Sequence, residues 1–314
     1  MKKNPQVLII DGMNILRRAY HGMSGRPGSD ISATGRASAA IVGFINYAVH
    51  LHTLFPEAVV LIAYETGKSE RRVRIHPEYK SNRSERPEEF NQQLAFLRRL
   101  WEVWPARLME QPGMEADDLV AAATVEAKEA NAQTEVFIAS SDKDFAVLLS
   151  IPSVTLMRPG TGSMQWDRMD ATKAKAKWGV NPHHFTQYLA LTGDKSDGFN
   201  GIDKVGPKTA AKLLDEYGNL ANIWQAVQCG AVRPTGLQER LHRDWSLVER
   251  NLQLAEFDDI AEPVLADDER IWIQRGWAGE VPLRGDYVAC SKLLAEWGLS
   301  GHFSKLKRIP AFAD

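Results

Sequence analysis

Only two cysteines, Cys229 and Cys290, occur in 314 residues. They are too few for a disulfide framework and lack the spacing of a zinc site. A reducing compartment suits such a chain, and the cytoplasm is the expected location. No run of about 18 apolar residues is present, so no membrane span is expected. The N-terminal stretch MKKNPQVLIIDG carries two lysines, but its apolar part breaks at Asp11, too early for a signal peptide. Net charge is missing as well: 38 basic against 40 acidic residues leave −2. A polyanionic partner would therefore have to be held by local clusters. Internal repeats and low-complexity tracts are absent, which excludes solenoid and linker-type chains. What remains is 44% hydrophobic and 25% charged, ordinary for a globular protein. The length suits two compact parts, or one domain with a large appendage.

Against this background, Pro112–Asp144 stands out. Glu115, Asp117 and Asp118 open a helix-like stretch, and Asp142 and Asp144 follow a short apolar run. Like charges so close repel unless a cation sits between them, and oxygen-rich clusters suit hard divalent ions such as Mg²⁺. Acidic residues in a helix's first turn are also common without any metal, because they complement the helix dipole. The wider pattern decides between these readings. Gln6–Ile10, Val59–Tyr64 and Val136–Ser140 read as buried strands that run into Asp11, Glu65 and Asp142. Helix-like segments Ser38–Leu54, Glu88–Val103 and Ala116–Ala130 lie between them. The alternation predicts an α/β fold with a mostly parallel central sheet and helices on both faces. In such a sheet the strand ends meet at one edge, where sites form.

Thr66–Arg86 holds seven basic residues against three acidic ones. It follows directly from Glu65, so a basic lid over the acidic cleft is expected, as a phosphodiester substrate would need. Tyr79 within it offers a ring for a base to stack on. Downstream, Phe185–Thr192 looks helical and leads to Asp194 and Asp197, which share a face if that turn is helical. The stretch Gly201–Thr209 resembles a phosphate loop only superficially, since Pro207 parts Gly206 from Lys208. A helix–hairpin–helix gripping a DNA backbone fits better, with a helix over Ala210–Glu216 and Lys204, Lys208 and Thr209 near the phosphates. Further on, Arg240–Leu254 reads as one amphipathic helix, and Val264–Pro282 as irregular. Trp224, Trp245, Trp272, Trp277 and Trp297 read as core anchors.

Taken together, LIIDGMN, YETGKS, YKSNR, MEADDLVA, SSDKDF and TGDKSDGFNGIDKVGPKTAAKLL resemble the 5′-nuclease superfamily. That group comprises flap endonucleases, phage 5′→3′ exonucleases and the 5′-nuclease domain of bacterial DNA polymerase I. The likeness covers about Val7 to Leu214, with a weaker part through HRDWSLVERNLQLA. It implies a PIN-like nuclease core over 1–180 with a basic helical arch at about 66–105. A helical helix–hairpin–helix DNA-binding region over 181–264 and a C-terminal helical extension over 265–314 would follow. Two carboxylate metal sites are implied, one from Asp11, Glu65, Glu115, Asp117 and Asp118, the other from Asp142, Asp144, Asp194 and Asp197. Relatives usually carry Asp where Glu65 stands. Lys80 and Arg72 match basic residues that approach the scissile phosphate. Arg18, Tyr79, Arg83, Lys195, Lys204, Lys208 and Thr209 are the expected DNA contacts. A K⁺ ion held by backbone carbonyls would fall at Leu191, Thr192, Asn200, Ile202 and Val205.

The resemblance thus implies a structure-specific 5′→3′ exonuclease and flap endonuclease that uses two Mg²⁺ ions, or Mn²⁺. Its substrates would be DNA with 5′ ends or flaps, including RNA primers in RNA–DNA hybrids. The chain ends without polymerase-sized sequence and so resembles the free-standing nucleases; a monomer is expected. Two alternatives stay open at this point: a PIN-type ribonuclease and an inert DNA-binding scaffold.

Overall fold

The computed structural model describes residues 4–23, 31–160, 165–257 and 285–312. Strands β1 (Gln6–Asp11), β2 (Val59–Ala63), β3 (Arg107–Met109), β4 (Glu135–Ala139), β5 (Val154–Pro159) and β6 (Trp166–Met169) form one sheet. Its order is β3-β2-β1-β4-β5-β6. All neighbours pair in parallel except β5 with β6. The central strands read as continuous apolar runs because both faces are covered.

On one face, Leu8 and Ile10 pack with α1 (Gly12–Met23), α2 (Ala39–Leu54) and, beyond the short α3 (Glu70–Ile75), α4 (Glu88–Glu102). On the other, Val7 and Ile9 pack with α5 (Ala116–Ala130). After α6 (Ala171–Trp178), a helical region follows with its own core. It comprises α7 (Phe185–Thr192), the two-stranded hairpin β7 (Gly193–Asp194) and β8 (Phe199–Asn200), α8 (Pro207–Tyr217), α9 (Leu220–Gln228), α10 (Thr235–Arg243) and α11 (Trp245–Ala255). The helix Tyr287–Trp297 returns to the first face, where Cys290 and Leu294 join the core of α2 and α4.

The structure departs from the sequence reading in three places. The expected helix over Arg240–Leu254 is broken at Asp244, which separates α10 from α11. Both Asp244 carboxylate oxygens take the Arg243 fork, at 2.9 and 2.8 Å. Asp197 shares no helical turn with Asp194, because the chain there reverses as a tight hairpin. Gly193, at φ +73°, makes that possible: a Cβ would lie 2.1 Å from the Gly201 nitrogen. Strands β3, β5 and β6 are too short or too mixed in pattern to declare themselves in sequence. Of the five tryptophans read as anchors, Trp224 and Trp245 stack on each other at 4.8 Å. Trp297 packs on Phe96 at 4.7 Å. Trp272 and Trp277, like Val264–Pro282, lie outside the described residues.

Candidate active site

Parallel pairing places the ends of β1, β2 and β4 side by side, and their acidic residues meet there. Asp11 closes β1 and is 3% exposed. Its Oδ2 accepts the Ser140 hydroxyl at 2.7 Å and its Oδ1 accepts the Asn14 amide at 3.1 Å. Gly12 follows directly because α1 starts hard against β2: a Cβ would sit 2.8 Å from the Ala63 carbonyl oxygen. Ser140 also receives the Asp142 amide on its hydroxyl, at 3.0 Å, and the Asp144 amide donates to Asp142 Oδ1 at 3.0 Å. Asn14 Oδ1 accepts both the amide and the hydroxyl of Ser141, at 3.0 and 2.7 Å. Backbone and hydroxyl donors thus lock the loop after β4 onto the end of β1.

The acidic groups destabilise one another. Burial, then the charges of Asp142 and Glu65, push Asp11 up to about 7, against the lowering bonds from Ser140 and Asn14. Asp117 is raised well above the carboxylate range by burial and by Asp142, Glu115 and Asp11, with Lys80 opposing. Asp144 is raised well above it by burial and by Asp142, Asp194 and Asp197. Asp197 is raised mainly by burial. Burial would also raise Asp194, but the Lys143 ammonium, 2.7 Å from its Oδ2, and Ser196 hold it below the ordinary value. Ligand oxygens of Asp144, Asp194 and Asp197 all lie within 4.8 Å of one another. Asp144 Oδ1 is buried with no hydrogen-bond partner among the described residues. A cluster that raises its own proton affinity and leaves an oxygen unpartnered has the donor chemistry of a divalent-cation site. The residues present fit such an ion.

Cations of the chain stand among these acids. Lys80 Nζ lies 2.6 Å from Glu115 Oε1 and 3.7 Å from Asp197 Oδ2. Burial would lower this ammonium, but Asp117, Asp197 and Glu115 raise it above the usual lysine value. Its backbone is held at φ +51°, a strained angle for a residue with a side chain. Arg83 donates to Asp197 Oδ1 at 3.0 Å. Glu65 accepts Arg17 at 2.9 Å, with Arg86 at 3.8 Å. A groove of about 860 Å³ opens above the cluster. Lys80, Arg17, Arg83 and Arg86 line it, together with Tyr20 and Phe90.

Three sequence expectations need correction. Tyr79 offers no face to a base: it is 1% exposed, and its hydroxyl donates to Glu115 at 2.9 Å and to Asp197 at 3.0 Å. Arg72, 3% exposed, is held in a buried fork with Asp118, at 2.9 and 2.7 Å, and is not among the residues lining the groove. Asp118 takes that fork on both oxygens and also caps the Glu115 amide at 3.3 Å. Asp118 therefore acts as helix cap and counter-ion to Arg72 in this arrangement. The basic lid is correspondingly smaller. Arg71 and Arg72 turn inward onto α11, and the following loop is pinned to the hairpin by Lys80 N to Asp197 O and Asn82 Nδ2 to Lys195 O, both 2.9 Å.

Arg18 donates to the Gly160 carbonyl at 2.8 Å and lines a smaller pocket of about 200 Å³ together with Asp11. Lys195 is exposed on the hairpin, Lys204 on the loop before α8 and Lys208 in the first turn of α8, with Thr209 half-buried beside it. In the turn proposed for K⁺, the Leu191 carbonyl accepts Ile202 N at 3.0 Å, and the Ile202 carbonyl accepts Val205 N at 3.0 Å. The Asn200 carbonyl accepts Asn251 at 2.8 Å. Asn14, Arg17, Ser140, Ser141 and Lys143 escaped the sequence reading. Their only signal was proximity, in DGMNILR and SSDKD, to residues it had already chosen.

Comparison with known proteins agrees with this architecture. Residues 6–179 match the N-terminal resolvase-like domain of 5′-3′ exonucleases, and residues 180–269 match the C-terminal SAM fold of the same enzymes. DNA polymerase I of Lactococcus lactis subsp. lactis is 30% identical over 256 residues, 81% of this chain but 29% of the polymerase. DNA polymerase I of Synechocystis sp. is 32% identical over 230 residues, 71% of this chain and 23% of that one. The chain therefore spans less than a third of the length of these relatives. In fold it is similar to the D15 flap endonuclease of bacteriophage T5, seen as a pseudo-enzyme–product complex with DNA and metal ions. The TM-score is 0.65 at 20% identity, over 88% of this chain and 98% of that one. The catalytic core of Rad2 in complex with DNA substrate gives a TM-score of 0.54 at 14% identity, over 98% and 92%. No helix among the described residues is long and apolar enough to cross a membrane. With both halves matched in order over residues 6–269, the chain belongs to the 5′-3′ exonuclease family.

Proposed function

We propose that this protein is a Mg²⁺-dependent, structure-specific 5′→3′ exonuclease and flap endonuclease acting on DNA. The observation that carries this is the acidic floor of the groove. Asp144, Asp194 and Asp197 converge within 4.8 Å, and Asp142 presses electrostatically on both Asp144 and the Asp11–Asp117 group. Two divalent ions held there, Mg²⁺ or Mn²⁺, would supply an activated water and neutralise charge on the attacking and leaving oxygens. One would lie with Asp11, Glu65, Glu115 and Asp117, the other with Asp142, Asp144, Asp194 and Asp197. The family's nuclease domains and the T5 complex with DNA and metal ions support the reading.

The chain's own residues have separate tasks. Lys80 places a desolvated ammonium among the carboxylates, where it can meet developing negative charge on a phosphoryl group. Arg17, Arg83 and Arg86 hold the strand that enters the groove. Lys195, Lys204, Lys208 and Thr209 hold duplex backbone, and a K⁺ ion would lie at the turn of Leu191, Thr192, Asn200, Ile202 and Val205. Phosphate contacts of this kind position without reading sequence, so structure selects the substrate, including RNA primers in hybrids.

The test incubates 5′-labelled flap and blunt duplexes with Mg²⁺, with EDTA, and with Asp142→Asn. Mg²⁺-dependent release of 5′ fragments, lost in EDTA and in Asp142→Asn, is expected. Wild-type cleavage by Asp142→Asn would sink the metal assignment. Cutting of RNA alone would identify a PIN-type ribonuclease, and no cutting at all an inert scaffold.

A further inference from the structure

Arg72 touches both the start of α5 and the end of α11. A guanidinium has five N–H donors, and five hydrogen bonds account for them here. Toward α5, Nη1 donates to Glu115 Oε2 and Asp118 Oδ2, both at 2.9 Å, and Nη2 to Asp118 Oδ1 at 2.7 Å. Toward α11, Nε donates to the Leu254 carbonyl and Nη2 to the Glu256 carbonyl, both at 3.1 Å. Arg71 adds bonds to the carbonyls of Gln253 at 2.7 Å and Glu256 at 2.8 Å. Helix ends leave carbonyls without intrahelical partners, and those carbonyls carry the negative end of the dipole. The two arginines therefore fasten the last turn of α11. The same helix reaches back to α7 and the hairpin: Asn251 Nδ2 donates to the Ala190 carbonyl at 3.1 Å and the Asn200 carbonyl at 2.8 Å.

We propose that Arg72 is a positioning residue that couples seating of the helical region to assembly of the acidic site. Glu115 and Asp118 keep their register only while the C-terminal carbonyls of α11 occupy the other edge of the guanidinium. The coupling runs both ways, as any linkage between two sites must. A lysine cannot replace the fork, since a single ammonium presents three donors from one point. The inference rests on the metal-dependent reading only in taking Glu115 as part of the metal site.

The test uses the full chain with Arg72→Lys and, separately, Arg71→Ala, which removes two bonds to carbonyls at the end of α11. Three quantities are read: Mn²⁺ binding without DNA, hydrogen exchange at 112–120 and 245–257, and affinity for a 5′-flap duplex in EDTA. Arg72→Lys is expected to weaken Mn²⁺ binding about tenfold, the usual scale for a residue that orients a ligand. It should speed exchange at both helix ends and leave flap affinity in EDTA unchanged. Arg71→Ala should produce the same paired change in smaller measure. The proposal is overturned if Arg72→Lys lowers flap affinity and its salt dependence while exchange and Mn²⁺ binding stay put, for Arg72 would then be a phosphate contact. It is equally overturned if Arg71→Ala loosens 245–257 and leaves 112–120 and Mn²⁺ binding untouched. Should the wild type take up no Mn²⁺, the metal-dependent reading fails, and the joint or separate response of the two helix ends still decides the coupling.

Discussion

The metal-free protein should lose stability as pH rises toward neutrality, and Asp11 supplies the largest part of the effect that can be worked through. Its carboxyl is buried among other acids and titrates at about 7 in the fold, against 3.8 for the free side chain. A carboxyl raised in the folded state holds its proton more tightly there than in the unfolded chain. Its contribution is therefore fully present below pH 3.8 and lost as pH climbs to about 7. At 1.36 kcal/mol per pH unit the whole span is about 4 kcal/mol, of which about 3 kcal/mol falls between pH 5 and 7.5. At roughly 2 °C per kcal/mol for a chain of this size, the melting temperature in EDTA should drop by about 6 °C over that interval. Asp117, Asp144 and Asp197 are raised as well and push in the same direction, whereas Asp194 is lowered and opposes them. Mg²⁺ binds the ionised carboxylates, so adding it at pH 7.5 should recover the loss. Asp11→Asn removes the charge and should melt higher than wild type in EDTA at pH 7.5, with a shallower pH slope and a weaker response to Mg²⁺. Thermal melts at the two pH values, with and without Mg²⁺, provide the assay. A melting temperature that rises from pH 5 to 7.5 in EDTA, or an Asp11→Asn slope equal to wild type, would refute the reasoning.

Tyr79→Phe should lower stability to urea by about 1–3 kcal/mol, because Glu115 and Asp197 stay buried without their shared donor. Flap binding in EDTA should not change, and an unaltered urea midpoint would contradict the burial argument. Lys80→Ala should cut turnover sharply with little change in duplex affinity; weaker binding with turnover at saturation intact would make Lys80 an anchor instead. Lys204→Ala should weaken binding equally across sequences and reduce the salt slope by about 1, measured by fluorescence anisotropy at several salt concentrations. A sequence-dependent loss would point to base contacts.

The sequence alone determined the sheet and its acidic edge. VLII and VVLI form near-continuous apolar runs, buried in the structure on both faces, as a parallel sheet covered by helices buries its strands. Once β1, β2 and β4 are parallel, Asp11, Glu65 and Asp142 have to end on one side. Local chemistry such as the start of α5 was legible for the same reason, since caps depend on neighbours in the chain.

Tertiary structure alone decided which charges face the groove and which face inward. Asp117 and Asp118 are adjacent in sequence, yet Asp117 feels Lys80, Asp142 and Asp11 while Asp118 is taken by Arg72. Tyr79 and Lys80 are neighbours too, and their fates follow from the hairpin at Gly193–Asn200, more than a hundred residues away. Composition and spacing say that opposite charges will pair, but the choice of partner depends on distance in space and on which pairs are drained of water. The arginine-rich stretch that reads as an exposed lid is therefore, at Arg71 and Arg72, an internal fastening between the acidic site and the helical region.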